Sequence, residues 1–171
     1  MRQPNIHGGG ANTNLNGLRF QQSKTLANAI IEHPELMLIK DSVFRKGIYV
    51  AELCGGYKLY TKILRDRNVD FTKYISKRMF PDDAILVRNT VYIIEKKFQN
   101  VAGSVDEKLQ TCDFKKKQYT KLLLAADLRA EYYYVLNDWF RKAEYTDVHN
   151  YIESVGCKYF FNVIPLSEIG L

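Results

Sequence analysis

The stretch Phe80–Tyr119, FPDDAILVRNTVYIIEKKFQNVAGSVDEKLQTCDFKKKQY, constrains this chain more than any other. Two apolar runs, Ala84 to Val87 and Val91 to Ile94, are parted by the polar Arg88-Asn89-Thr90. Short apolar runs around such a break predict a β-hairpin. Acidic residues sit at both strand ends away from the turn: Asp82-Asp83 directly after Pro81, and Glu95 with Lys97 two residues on. Side chains alternate between the faces of a strand, so Glu95 and Lys97 share one face and Lys96 takes the other. Two carboxylates from neighbouring strands with a lysine beside them can hold a divalent cation and a water next to a phosphate. The plain alternative is a surface salt-bridge cluster, since exposed ion pairs are common.

The rest of the chain predicts a setting for this hairpin. With 171 residues it can bury one sizeable core. The expected organisation is an irregular Asn/Gly-rich arm over 1–17 and a single domain over 18–171. The arm is either an ordinary terminus or a segment laid along a DNA backbone; it has no GK[ST] and so is no nucleotide P-loop. Leu18 to Ile31 predicts a helix, with Leu18, Leu26, Ala29 and Ile30 on one face, Gln22 on that same face and Asn16 as its cap. A strand is expected over Gly47–Leu53, a helix over Tyr57–Arg67, and a short helix from Asp70 to Ile75. Ser104-x-x-Glu107 reads as a capping box that starts one long helix carrying Val105, Leu109, Cys112, Tyr119, Leu122, Leu123 and Ala126 inward. Along it, Lys115 and Lys117 are expected to face solvent, and Lys116 to lie near the apolar side. A strand over Glu131–Leu136, a helix over Thr146–Ser154 ended by Gly156, and a strand over Lys158–Asn162 complete the order, with Trp139 and Phe140 expected in the core, base stacking being the alternative. A mixed sheet flanked by helices follows.

Composition narrows the classes. The net charge of +6 tilts toward nucleic-acid partners. Cys54, Cys112 and Cys157 are widely spaced and odd in number, which argues against a disulfide framework or zinc site and for a reducing, cytoplasmic compartment. His7, His33 and His149 have no ligand-like spacing. No apolar run is long enough to span a membrane, and no signal peptide is expected.

Pro81-Asp82, a hairpin, then Glu95-x-Lys97, with a helix before and a helix and strand after, resembles the PD-(D/E)xK nuclease superfamily. The run IIEKKFQ followed by GSVDEKLQTC resembles the small type II restriction endonucleases within it. The resemblance covers about residues 80–120 and implies an α/β, restriction-endonuclease-like fold, with a mixed central sheet flanked by helices. It implies Mg²⁺ as cofactor, with Mn²⁺ as a substitute. Asp82 would be the first metal ligand, with Asp83 taking its place if the register slips by one residue. Glu95 would be the second ligand, and the backbone carbonyl of Lys96 would complete the shell. Lys97 would position or deprotonate the attacking water. Related enzymes often carry a glutamate on the first helix where this chain has Gln22, an amide that is a weaker ligand for a hard cation and is left a supporting role. The implied substrate is double-stranded DNA cut at a short specific sequence, by a homodimer that matches a two-fold site. Candidate DNA contacts are Lys73, Lys77, Arg78, Lys115, Lys116 and Lys117, each of which also reads as plain solvation. A junction resolvase, nicking or repair nuclease on the same scaffold is the alternative, as is a catalytically weakened DNA-binding module.

Overall fold

The structure, a computed structural model, describes residues 17–20, 24–100 and 105–171. Most of the N-terminal arm, Gln21, Gln22 and Ser104 lie outside the described residues. The chain runs as strand β1 (Gly17–Arg19), helix α1 (Leu26–Ile31), strands β2 (Leu36–Ile39), β3 (Ser42–Arg45) and β4 (Ile48–Leu53), and a π-helical turn (Leu59–Leu64). Strands β5 (Asp83–Val87) and β6 (Thr90–Lys97), helices α2 (Val105–Leu109) and α3 (Cys112–Leu124), and strand β7 (Arg129–Leu136) follow. Helix α4 (Thr146–Ser154) and strands β8 (Lys158–Phe161) and β9 (Val163–Pro165) close the chain.

Strands β2 to β8 form one seven-stranded sheet in sequence order. Neighbours from β2 to β6 are antiparallel, whereas β6, β7 and β8 are parallel. The parallel steps are those with helices between the strands, because a parallel return needs a long crossover. The protein is therefore a mixed α/β structure with helices against both faces of a mixed sheet. Ala84, Leu86, Val91, Ile93, Tyr132, Tyr134 and Leu136 point to one face and pack with the π-helical turn, α3 and α4. Ile85, Val87, Ile94, Tyr133 and Val135 point to the other and pack with α1, the two-stranded β1–β9 ribbon and the C-terminal Leu166 and Ile169. Each fully buried Leu or Ile contributes about 1.5–3 kcal/mol over its exposed state.

Three local expectations are corrected. Leu18–Ile31 is not one helix. Leu18 pairs with Ile164 in the ribbon, and the helix begins only after Thr25, whose hydroxyl accepts from Asn28 N at 3.2 Å. Leu18, Leu26 and Ile30 mimic a single stripe because strand and helix bury onto the same core. The long helix is broken at Gln110-Thr111, where Thr111 Oγ1 and Tyr134 Oη both donate to Lys108 O, at 2.7 and 3.1 Å. The Tyr57–Arg67 helix is a π-helical turn run on into the 3₁₀ turn Arg65–Arg67.

Candidate active site

The hairpin lies close to its expected place, with Asp83 opposite Ile94 and Val87 opposite Thr90 across a two-residue turn in which Arg88 has φ 53°. Pro81 and Asp82 precede β5, while Glu95 and Lys97 end β6, so all of them gather at one end of the sheet. Glu95 lies opposite Tyr134 of β7 and hence belongs to the face that packs against α3.

On that face one ammonium organises three oxygens. Lys97 Nζ donates to Glu95 Oε2 at 3.1 Å and to the backbone carbonyl of Lys96 at 3.2 Å, and stands 3.7 Å from Asp82 Oδ2. Asp82 Oδ2 also accepts from Lys96 N at 3.1 Å, which ties the residue before β5 to the end of β6. A second ammonium, Lys115 Nζ, donates to the same Glu95 Oε2 at 3.2 Å. The cluster is graded toward water: side-chain exposure is 6% at Glu95, 17% at Lys97, 31% at Lys115 and 43% at Asp82. It is too deep at Glu95 to count as an exposed surface pair and open to solvent at Asp82.

The floor is phenolic. Burial, with a smaller push from the Glu95 charge, drives the Tyr119 and Tyr132 hydroxyls well above the ordinary tyrosine range, so both stay neutral. Their rings stack with centroids 6.4 Å apart. A wall of neutral groups keeps the local dielectric low and strengthens charge interactions at Glu95.

Close packing of the preceding loop sets where Asp82 sits. A Cβ on Gly55 would lie 3.0 Å from Ala84 N and 3.1 Å from Asp83 Cα, so any side chain there would push the Asp83–Ala84 backbone by a few tenths of an ångström. Cys54 N donates to Ala84 O at 2.9 Å and Gly56 N to Pro81 O at 3.1 Å, clamping the loop to the Pro81–Ala84 backbone from both sides.

Asp83 lies across the sheet from this cluster. Its Oδ1 accepts from Leu26 N at 3.1 Å, and its Oδ2 is 3.2 Å from Lys96 Nζ, an ion pair without the directed geometry of a hydrogen bond. Lys96 Nζ instead donates to Lys24 O at 2.8 Å. Burial raises the Asp83 carboxyl above its ordinary range against the pull of Lys96 and of Leu26 N–H. Period-two alternation thus separates two acid–lysine sets, Asp82/Glu95/Lys97 on one face and Asp83/Lys96 on the other.

The lysine run resolves differently from expectation. Lys115, expected to face solvent, turns into the cluster. Lys116 donates to Gly156 O, and Lys117 pairs with Asp113 at 2.7 Å. Lys115 and Lys116 both lie three or four residues from buried Cys112 and Tyr119, so spacing alone puts either on the inward stripe of α3, and only the register of the helix against β6 brings Lys115 to Glu95. Lys73 and Lys77 are exposed, and Arg78 lies over the Phe71 ring at 4.6 Å. His33 is buried and caps locally, its Nδ1 accepting from Glu35 N at 3.2 Å.

Among the described residues no group of three or more His, Cys, Asp and Glu side chains is placed to hold a metal ion. The oxygens that could serve a cation are two carboxylates and a carbonyl, the three that surround the Lys97 ammonium. Such an oxygen set suits Mg²⁺, which keeps several waters of its own. No helix among the described residues is long and apolar enough to cross a membrane. Comparison with protein-family models, with curated proteins and with solved structures found no match.

Proposed function

We propose that this chain is a Mg²⁺-dependent endodeoxyribonuclease with a restriction-endonuclease-like fold, and that it cuts double-stranded DNA at a short specific sequence as a type II restriction endonuclease, as a homodimer. The observation that carries the reading is the convergence of Asp82, Glu95 and the Lys96 carbonyl on one ammonium. Three oxygens gathered round a cationic group, two of them hydrogen-bonded to it, are a place where a divalent cation can be held.

Asp82, Glu95 and Lys96 O would hold Mg²⁺, with Mn²⁺ as a substitute. When bound, the ion supplies a polarised water and relief of charge on the phosphate. Lys97 then has its ammonium beside the reacting oxygens, where it donates to a water or to a phosphoryl oxygen as negative charge grows. Lys115 offsets part of the Glu95 charge and adds a second positive group facing the incoming phosphate. Tyr119 and Tyr132, held neutral, keep bulk water from the floor. The net charge of +6 favours approach of a polyanion.

The test is digestion of a defined phage DNA with the full chain, in Mg²⁺ and in EDTA, followed by mapping of the ends. Discrete fragments formed only with Mg²⁺ support the restriction-enzyme form. Nicks or resolved junctions would move the assignment to another nuclease on the same scaffold, and intact DNA in Mg²⁺ and in Mn²⁺ would overturn the enzymatic reading.

A further inference from the structure

The segment that enters the cluster, Phe71 to Phe80, carries Lys73, Lys77 and Arg78 and no acidic residue. Phe80 is only two residues from Asp82, and its ring is 43% exposed. Tyr57, from the loop clamped under Asp82, is 63% exposed and stacks on Phe80 with centroids 4.6 Å apart and planes 28° from parallel. The pair is held firmly from below. Tyr60 meets the Phe80 ring edge-on at 5.6 Å, and its hydroxyl donates to Met79 O and accepts from Met79 N, each at 2.9 Å. The backbone just before Tyr57 is tied to the cluster's entry by the bond from Gly56 N to Pro81 O.

Two large rings stacked beside a catalytic cluster, left open to water, and backed by a stretch with three positive charges match what a nucleic-acid strand presents. A base offers a flat π-face to an aromatic ring, and its phosphates seek cations. A base inside a duplex has both faces covered by its neighbours, so only an unpaired or extruded base can use such a ring.

We propose that the Tyr57–Phe80 pair is a stacking platform for one unpaired nucleobase, on the strand whose phosphate enters the Asp82–Glu95–Lys97 cluster. The double-stranded substrate of the proposed function is thus locally opened at the point of attack, with one base out of the stack. This rests on the nuclease reading of the cluster and adds to it the state of the substrate. Lys73 and Lys77 follow the backbone on the approach to the platform, and Arg78, over Phe71 and Tyr60, stiffens it.

The test uses the full chain in Ca²⁺, to hold cleavage back, with oligonucleotides carrying 2-aminopurine. One is single-stranded, one is a duplex with the probe opposite a gap in pairing, and one is fully paired. Stacking quenches the probe, so wild type is expected to quench the first two and bind them more tightly than the third. Tyr57→Ala, at an exposed position, is expected to lose the quench and weaken binding roughly 10- to 100-fold, with Tyr57→Phe restoring both. Quenching of the opened duplex supports the platform on the proposed double-stranded substrate, whereas quenching of the single strand alone overturns it for that substrate and would reassign the substrate to single strands. Equal binding by Tyr57→Ala and wild type, or tightest binding to the fully paired duplex, overturns the proposal. If quenching stands while no DNA is cut in Mg²⁺, the nuclease reading fails and the platform survives. If Tyr57→Ala cuts every substrate as wild type does, the platform fails and the nuclease reading survives.

Discussion

Glu95→Gln keeps the shape of the side chain and removes the charge that Lys97 and Lys115 share at Oε2. At 3.1 and 3.2 Å, and with an effective dielectric of about 20, each attraction is worth about 5 kcal/mol before desolvation. Desolvation of the three groups consumes most of that. Removing one partner of a fully buried pair costs about 3–5 kcal/mol, because the other charge is stranded. The cost here is smaller on two counts. Lys97 keeps Asp82 at 3.7 Å, and Lys115, 31% exposed, can turn to water. A loss of about 2 kcal/mol remains. For a chain of this length that is a fall in Tm of roughly 4–8 °C, read by thermal unfolding at neutral pH with no added divalent ion. Lys115→Met in the Glu95→Gln background should recover part of the loss, giving a coupling of about 1 kcal/mol in the double-mutant cycle. A Tm for Glu95→Gln within about 1 °C of wild type, with no coupling to Lys115, would show that Glu95 is solvated and that the cluster is an ordinary surface ion pair.

Other perturbations have equally definite outcomes. Gly55→Ala places a Cβ against the Asp83–Ala84 backbone and should destabilise by about 1–3 kcal/mol in urea unfolding while displacing Asp82, so cleavage should fall by more than stability alone explains. Asp83 has a folded pKa above its ordinary 3.8, so the native state holds that proton more tightly than the unfolded chain does. Its contribution to stability therefore falls as pH rises from about 4 through the raised value. The difference in unfolding free energy between wild type and Asp83→Asn should fall over that window and then level off, and a difference that rises with pH would contradict the burial argument. His149, stacked on Tyr159 at 4.4 Å, has its pKa lowered from 6.5 by burial, against the opposing charge of Glu153. The unfolded chain takes up that proton first, so stability is lost as pH falls below about 6.5, and His149→Phe should flatten this part of the acid limb.

Where one physical rule dominated, the sequence was readable. Two continuous apolar runs and a polar break predict the hairpin, with β5 starting one residue early and β6 running from Thr90 to Lys97, three residues past the apolar run; α4, with the left-handed Gly156 behind it at φ 70°, follows from spacing. Strands β1, β2, β3 and β9 are three or four residues each, too short for a period to stand out, and they exist because the sheet and the ribbon pair them. The same alternation that joins Glu95 with Lys97 puts Asp82 beside them and Asp83 on the opposite face, a separation that only a fixed strand register makes. The spacing from Cys112 and Tyr119 fits Lys115 and Lys116 alike, so the sequence puts Lys116 near the apolar face and Lys115 in solvent, while the helix's packing turns Lys115 to Glu95. The Tyr57–Phe80 stack joins residues 23 positions apart in the chain, and no local pattern announces it.

The central claim is that Asp82, Glu95 and Lys97 act together to hydrolyse a phosphodiester bond. The most direct measurement is the initial rate at which supercoiled plasmid is cut in Mg²⁺ by wild type, Asp82→Asn and Lys97→Met, with far-UV circular dichroism confirming that each variant is folded. The account predicts Mg²⁺-dependent cutting by wild type and a loss of roughly 10²–10⁴-fold in each variant. Folded variants that cut at the wild-type rate would contradict it.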